Sequence, residues 1–380
     1  MSSAGRIRDR RALAWTGALA VPILVGAGIL VPIAASGAVD LPDKSVQELI
    51  EFAGASEVDT LTGTIEQASE LGLPDLDALT GASGADDSAA AAAGLDDVLG
   101  LIAGTHTANV YLDGERARLQ VLDRLAERNV YVDGDADIAW YVDSESQTAT
   151  RLTLPSDSDL EQWRSRLPGP PEDAAVPTPQ RLLEEALARL DESTEVTVGT
   201  DARVAGRDVY ELILTPRAED TLIGDIRFAI DGQNGAALAA SITARGSDEP
   251  AFQIAFTRVG FEAPDPAALA FTPADGIAVV DEVLALPSPE DWAARHGRGD
   301  PDAPTVYGRG WSAVVQLPET AAGGGLSSGQ RAQLEAVTTA VEGGRVLQTS
   351  LISVLITDDG RMLAGAVPAS RLVEAAQTGR

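Results

Sequence analysis

From residue 105 the chain runs in short segments that alternate apolar and polar positions. Ala108, Val110 and Leu112 form one such run, and Ala117, Leu119 and Val121 the next. Val130 to Val132, then Ile138, Trp140 and Val142, then Thr148 to Leu154 continue the series. A period of two places every second side chain on one face of a strand. Asp113-Gly114 and Asp133-Gly134 lie between runs and predict tight turns, because Asp and Gly tolerate positive φ. The segment therefore reads as an antiparallel meander. A second meander follows residue 194. Val196, Val198, Thr200, Ala202 and Val204 alternate, and Gly206 turns the chain into VAGRDVYELILTP, where Tyr210, Leu212 and Leu214 share a face until Pro216 ends the run. Ile226, Phe228 and Ile230 come next, turned by Asp231-Gly232-Gln233-Asn234-Gly235. Leu238, Ala240, Ile242 and Ala244 return, and Phe252, Ile254 and Phe256 complete the set. Phe271-Thr272-Pro273 is read as the end of this unit.

Helical patterns are few. Lys44 to Ala55 predicts a short amphipathic helix, with Ser45 and Glu48 spaced as a capping box. Leu61 to Gln67 reads as a strand. Gly72 to Asp97, centred on GASGADDSAAAAAG, is too low in complexity to bury a core and reads as an insertion. PGPPEDAAVPTP at 168–179 is a connector, and Thr178-Pro179 opens a helix to Leu190 with Leu182, Leu183, Ala186, Leu187 and Leu190 on one stripe. Residues 286–304 again carry the composition of a linker. Beyond them, Trp311 to Leu317 predicts a strand and Ser327 to Val341 a helix. Val346 to Ile356 and Arg361 to Val367 predict a hairpin about Thr357-Asp358-Asp359-Gly360, and a C-terminal helix begins at Ser370.

The first 39 residues stand apart. Arg6, Arg8, Arg10 and Arg11 precede a stretch, Ala12 to Val39, with no charged residue. A basic flank before a long apolar run is a membrane-targeting pattern. It is either a signal peptide cleaved near Ser36-Gly37-Ala38 or an uncleaved anchor long enough to span, and both place the chain after residue 40 outside the cytoplasm.

Composition narrows the chemistry. The 380 residues contain no cysteine, which excludes disulfides, thiolate metal sites, a cysteine nucleophile and lipidation at an N-terminal cysteine. A formal net charge of −30 lacks the basic footprint that nucleic acid requires. His106 and His296 fit no metal spacing and read as surface residues. Gly325-Leu326-Ser327-Ser328-Gly329 has the GxSxG spacing, but a flexible tract replaces the strand a nucleophile elbow needs, so Ser327 or Ser328 reads as a helix cap. Asp133, Asp135 and Asp137 alternate like calcium ligands, yet Ile138 occupies the glycine position and Ser144 the bidentate glutamate position. No catalytic residue, metal or cofactor is expected.

About ten strands with one apolar face and two clear helices leave either a filled sandwich or an apolar cavity. A cavity would suit a lipid chain, since each buried methylene contributes ~0.8 kcal/mol and a fatty acyl chain on the order of 10 kcal/mol gross. The order of segments, with the strand opening Leu61-Thr62-Gly63, the Thr-Pro helix, the run VAGR-x-x-YEL-x-L-x-P at 204–216 and the Asp231-Gly232 turn, resembles the LolA-type lipoprotein-carrier superfamily. It is most similar to actinobacterial extracytoplasmic members, and the related RseB-type envelope-stress regulators share the fold. The resemblance covers residues 41–275, and residues 305–376 resemble the C-terminal extension of those homologues.

The resemblance implies an α+β fold: an antiparallel, incompletely closed β half-barrel with a helical lid over 40–285, a linker at 286–304 and a small α+β module at 305–380. It implies binding of lipid acyl chains or lipoproteins without covalent chemistry, as carrier or sensor. The alternative is an RseB-like regulator that binds a membrane anti-sigma factor. Alternation nominates the cavity wall as Val110, Leu112, Leu119, Trp140, Tyr210, Leu212, Leu214, Phe228, Ile230, Phe252 and Ile254. With no lipobox cysteine, the protein is not itself a lipoprotein.

Overall fold

The computed structural model describes residue 39, residues 41–72, 104–122, 127–144, 146–156, 158–159, 178–284, 286, 305–317 and 337–378. The segments read as targeting sequence, Ala-rich insertion, Pro-rich connector and linker fall outside them almost entirely, as do the GxSxG tract and His296.

The first helix, α1 (Val46–Gly54), opens on the expected capping box: the Ser45 hydroxyl accepts from Glu48 N, and the Glu48 carboxylate accepts from Ser45 N at 2.8 Å. Strands β1 (Thr60–Ser69), β2 (Gly104–Asp113), β3 (Arg116–Leu122), β4 (Glu127–Asp133), β5 (Ile138–Asp143) and β6 (Thr148–Thr153) form the first meander. Helix α2 (Pro179–Ala188) has Thr178 as its cap and proline in its first turn. Strands β7 (Thr194–Val198), β8 (Ala202–Val204), β9 (Arg207–Pro216), β10 (Ile223–Asp231), β11 (Ala237–Ala244) and β12 (Pro250–Gly260) form the second meander.

Both meanders belong to one thirteen-stranded sheet, in the order β13-β6-β5-β4-β3-β2-β1-β12-β11-β10-β9-β7, with β8 paired to β9. The chain starts at the centre, meanders to the β6 edge, re-enters at the β7 edge and meanders back. The halves meet at the antiparallel β1–β12 seam, which carries a bulge at Thr64/Ile65. Gly63 is needed there: a Cβ would stand 2.6 Å from the Phe256 ring. The end strands do not pair with each other, so the sheet is not closed into a barrel.

The chain does not stop at Phe271-Thr272-Pro273. A short helix α3 (Pro266–Leu269) lies against β2 and β3, and β13 (Ala278–Val283) then joins β6 in parallel. The sheet is thus mixed. The run Val279-Val280-Asp281-Glu282-Val283 does not alternate and all of β13 is exposed, so the usual strand pattern is missing.

A second sheet of six strands follows, ordered β14-β15-β19-β18-β17-β16: β14 (Thr305–Tyr307), β15 (Val314–Leu317), β16 (Thr339–Val341), β17 (Gly344–Gln348), β18 (Ser353–Thr357) and β19 (Met362–Gly365). Helix α4 (Ala369–Thr378) packs Leu372, Ala375 and Ala376 into its core with Val314, Leu355 and Leu363. Three expectations are corrected here. Residues 339–341 are strand rather than the end of a helix. Trp311 sits in a 3-10 turn (Gly310–Ser312) before the strand. The run from Val346 to Ile356 is two strands, broken where Thr349 Oγ1 accepts from Leu351 N and Ile352 N.

The second sheet packs on the first. Leu351, Trp311 and Ala366 join Leu71, Ile223, Ile226, Ile242, Ala244, Ala251 and Phe252 in one apolar cluster. Leu222 N donates to Ala366 O at 2.8 Å, Ser350 N to Leu71 O at 3.0 Å and Trp311 Nε1 to Thr194 Oγ1 at 2.8 Å. Among the described residues no helix is long and apolar enough to cross a membrane.

Candidate functional site

Opposed residues of an antiparallel ladder share a face, so register shows which side chains can meet one ligand. Leu112 opposes Leu61, and Val110 opposes Gly63 and Leu119, which opposes Val130. Across the seam Ile65 opposes Phe256, Ile254 opposes Ala240, Ala240 opposes Phe228, and Phe228 opposes Leu212. Leu214 opposes Ile226 and Tyr210 opposes Ile230 in the same ladder, and Phe252 opposes Ile242. Val110, Leu112, Leu119, Tyr210, Leu212, Leu214, Phe228, Ile230, Phe252 and Ile254 therefore line a single face. Trp140 does not. It opposes Tyr131 and Arg151, on the side that Tyr131 shares with Arg118.

The apolar face divides into two regions. Over β9–β12 it is a core: Leu49 and Ala53 of α1 and Leu183 of α2 pack with Tyr210, Leu212, Leu214, Phe228, Ile230 and Ile254. Tyr210 meets Phe52 edge-on at 6.4 Å and donates its hydroxyl to Pro42 O at 2.8 Å. Over β2–β6 a second cluster holds Ala117, Leu119, Val121, Val130, Val132, Ala139, Leu152 and Leu154, with Val110, Leu112 and Tyr141 against it. Among the described residues no helix contributes to this cluster. His106 shares this face, opposite Gln67, and is buried rather than a surface residue.

The most distinctive sequence run has a structural role that spacing did not disclose. Ala205 and Gly206 both have positive φ (51° and 80°), which gives the β8–β9 hairpin the backbone of a type I′ turn. The turn delivers Arg207 to Asp231, 24 residues on. Arg207 Nη2 donates to Asp231 Oδ1 at 3.0 Å and its Nε donates to Oδ2. Asp231 Oδ1 also accepts from Gln233 N at 2.9 Å and Asn234 N at 3.1 Å, organising the β10–β11 turn. The guanidinium covers Phe261 at 4.8 Å, and its hydrogen bonds to Asp231 hold its pKa above the ordinary arginine value. Ala205 is the imperfect member of the turn, since a Cβ at positive φ costs roughly 1–2 kcal/mol. Ala205→Gly is expected to raise the unfolding free energy by about 0.5–1 kcal/mol, read as a rise in denaturation midpoint at unchanged slope.

The opposite face carries a strap. The Arg118 guanidinium lies between Tyr111 (5.5 Å) and Tyr131 (4.9 Å) and donates to Ala268 O of α3 and to Asn129 Oδ1. Phe271 stacks on Tyr131 and meets Trp140 edge-on, each at 5.2 Å. Burial raises the Tyr131 pKa, with the Arg118 charge opposing it. A polar ladder runs beside this cluster: Asn109 Nδ2 donates to Gln120 Oε1, and Gln120 Nε2 and Asn129 Nδ2 both donate to Glu127 Oε1. The Asn129 bond is the largest influence lowering the Glu127 pKa, and partial burial opposes it. A carboxylate with a depressed folded pKa stabilises the fold above its unfolded value, and that contribution is lost as pH falls through the folded value. Asn129→Ala is expected to move the Glu127 titration, followed by carboxyl NMR, up toward its ordinary value of 4.5. An unchanged midpoint would refute the assignment.

Among the described residues no three His, Asp or Glu side chains gather as a metal site. The Asp133–Asp137 stretch is a hairpin loop, in which Asp133 Oδ1 accepts from Ala136 N at 3.1 Å.

No family model and no curated protein matches the chain. Solved structures do. The chain is similar to the MucA/MucB complex of Pseudomonas aeruginosa, with 15% identity and a TM-score of 0.41 over 87% of this chain and 96% of that one. It is similar to a LolA superfamily protein from Nitrosomonas europaea, with 9% identity and a TM-score of 0.20 over 60% and 99%. A putative outer membrane lipoprotein-sorting protein domain from Vibrio parahaemolyticus matches with 11% identity and a TM-score of 0.21 over 59% and 95%. The solved structures that the chain resembles thus include MucB and members of the LolA superfamily.

Proposed function

We propose that the protein is an extracytoplasmic, non-catalytic carrier or sensor that binds lipid acyl chains, or lipoproteins through theirs, on the apolar face of its unclosed sheet. The single observation that carries this is the common face: ten side chains from five strands, taken from both meanders, line one surface of a sheet whose end strands do not pair. The β9–β12 half, filled by α1 and α2, acts as the foundation. The acyl chain lies over the β2–β6 half, against Val110, Leu112, Leu119 and their neighbours, and α1 and α2 serve as the lid's fixed part. The N-terminal apolar stretch directs export as signal or anchor. Native mass spectrometry of protein from its own host, released by gentle extraction, is expected to show an acyl-bearing ligand. Its consistent absence would reject the reading.

A second reading rests on the packed C-terminal unit. The described residues of this unit, 305–317 and 337–378, are seated on the first sheet through Trp311, Leu351 and Ala366, a placement that suits an RseB-like regulator contacting a membrane anti-sigma factor. Pull-down of membrane proteins with the full chain and with the module deleted separates the two, because only the regulator loses its partner with the module.

A further inference from the structure

β13 is the last strand of the large sheet and all six of its residues are exposed. Ala278 N donates to Gln147 O and Leu284 N to Thr153 O, so the even-numbered positions bind β6. Alternate residues of a strand direct their N–H and C=O groups to opposite sides, and Val279, Asp281 and Val283 therefore offer theirs away from the sheet. Val279, Val280 and Val283 expose apolar side chains beside that edge, with Val283 74% exposed. Natural edges are blunted by lysine, proline or a bulge. β13 has none of these, and its register with β6 is unbroken over all six residues.

Its charges select the partner. Asp281 and Glu282 sit in mid-strand, and among the described residues Asp281 pairs with the half-exposed Arg151 at 3.6 Å. Antiparallel pairing of two copies about this strand would set Asp281 against Asp281, and directly opposed like charges are destabilising. The net charge of −30 adds to that repulsion. A segment with lysine or arginine between apolar residues would meet both the valines and the acids.

The geometry points to β13 as a docking edge for an extended basic-apolar segment of another protein, which adds as a further strand outside β13. Main-chain hydrogen bonds give such an addition its affinity and the side chains its selectivity. The inference is independent of what the apolar face of the sheet binds.

The test uses the full chain and a fluorescent peptide of alternating valine and lysine. Saturable binding by anisotropy is expected, with slowed amide exchange at Val279, Asp281 and Val283. The same peptide N-methylated on alternate residues keeps its charge and cannot pair, and it should bind at least tenfold more weakly. Val279→Pro removes one outward donor while leaving the bonds to β6, because proline is tolerated where a strand's N–H faces solvent. It should also weaken binding at least tenfold. Should that variant disturb β13, the paired change D281K/E282K, which leaves the backbone intact, is expected to produce the same loss. Equal binding of the two peptides, or unchanged exchange at the three amides, would overturn the proposal. So would a β13-dependent dimer in sedimentation equilibrium, which would make the occupant a second copy.

Discussion

Asp231→Ala should cost about 3–5 kcal/mol of stability, the range expected when one partner of a buried ion pair is removed. Asp231 is 1% exposed and Arg207 25%, so solvent screens the pair little. The loss is compound. Arg207 forfeits a two-pronged carboxylate, and Gln233 N and Asn234 N forfeit their acceptor in the β10–β11 turn. Arg207→Lys should recover only part of the loss of Arg207→Ala, since a point charge cannot reproduce the fork. Asp231→Asn should fall between wild type and Asp231→Ala, because the amide oxygen still serves the turn. Equilibrium denaturation with a double-mutant cycle measures all four. A coupling below about 0.5 kcal/mol would show that the two residues act independently.

Phe228→Ala should cost a similar amount, about 3–5 kcal/mol, by leaving a cavity between the sheet and its helices. Phe228 is 1% exposed and packs among the residues that α1 and α2 cover. Its acyl-lipid content per folded molecule should nevertheless match wild type, because this half of the face is foundation. Leu119→Gln makes the opposite separation. It places an amide among Val121, Val130 and Val132, costs about 1–3 kcal/mol, and should lower lipid content severalfold. If Phe228→Ala empties the protein of lipid while Leu119→Gln leaves it loaded, the assignment of the two halves is reversed.

Most strands were legible because a one-sided sheet must alternate, and the register follows from short turns. Trp140 was misplaced for a physical reason. Residues 138–142, Ile-Ala-Trp-Tyr-Val, are apolar at both parities, because the strap through Phe271 covers the face that would otherwise be solvated. Alternation cannot choose between Trp140 and Ala139 in such a run, and Ala139, fully buried, points to the common face. β13 escaped because an exposed edge strand has no reason to alternate. The break at Thr349 was hidden because its turn is made by a hydroxyl inside a continuous apolar pattern. The Arg207–Asp231 pair joins charges 24 residues apart, a separation for which sequence offers no periodic cue. The core half and the open half of the apolar face have the same alternation, and only the placement of α1 and α2 tells them apart.

The central seam has a kinetic consequence. Apart from β1–β2, whose connection spans residues 70–103, and the short β7, neighbouring pairs among β1–β12 are close in sequence, but β1 meets β12 across 193 residues, as at Thr64 and Thr257. Each meander can assemble with low contact order, whereas the seam cannot form until both are in place. During vectorial emergence β1 would wait with an open edge while nearly two hundred residues follow it. Refolding should accordingly show a fast phase from the two local arrays and a slower one as Phe256 closes over Gly63, and it is in this interval that the chain is most exposed to aggregation.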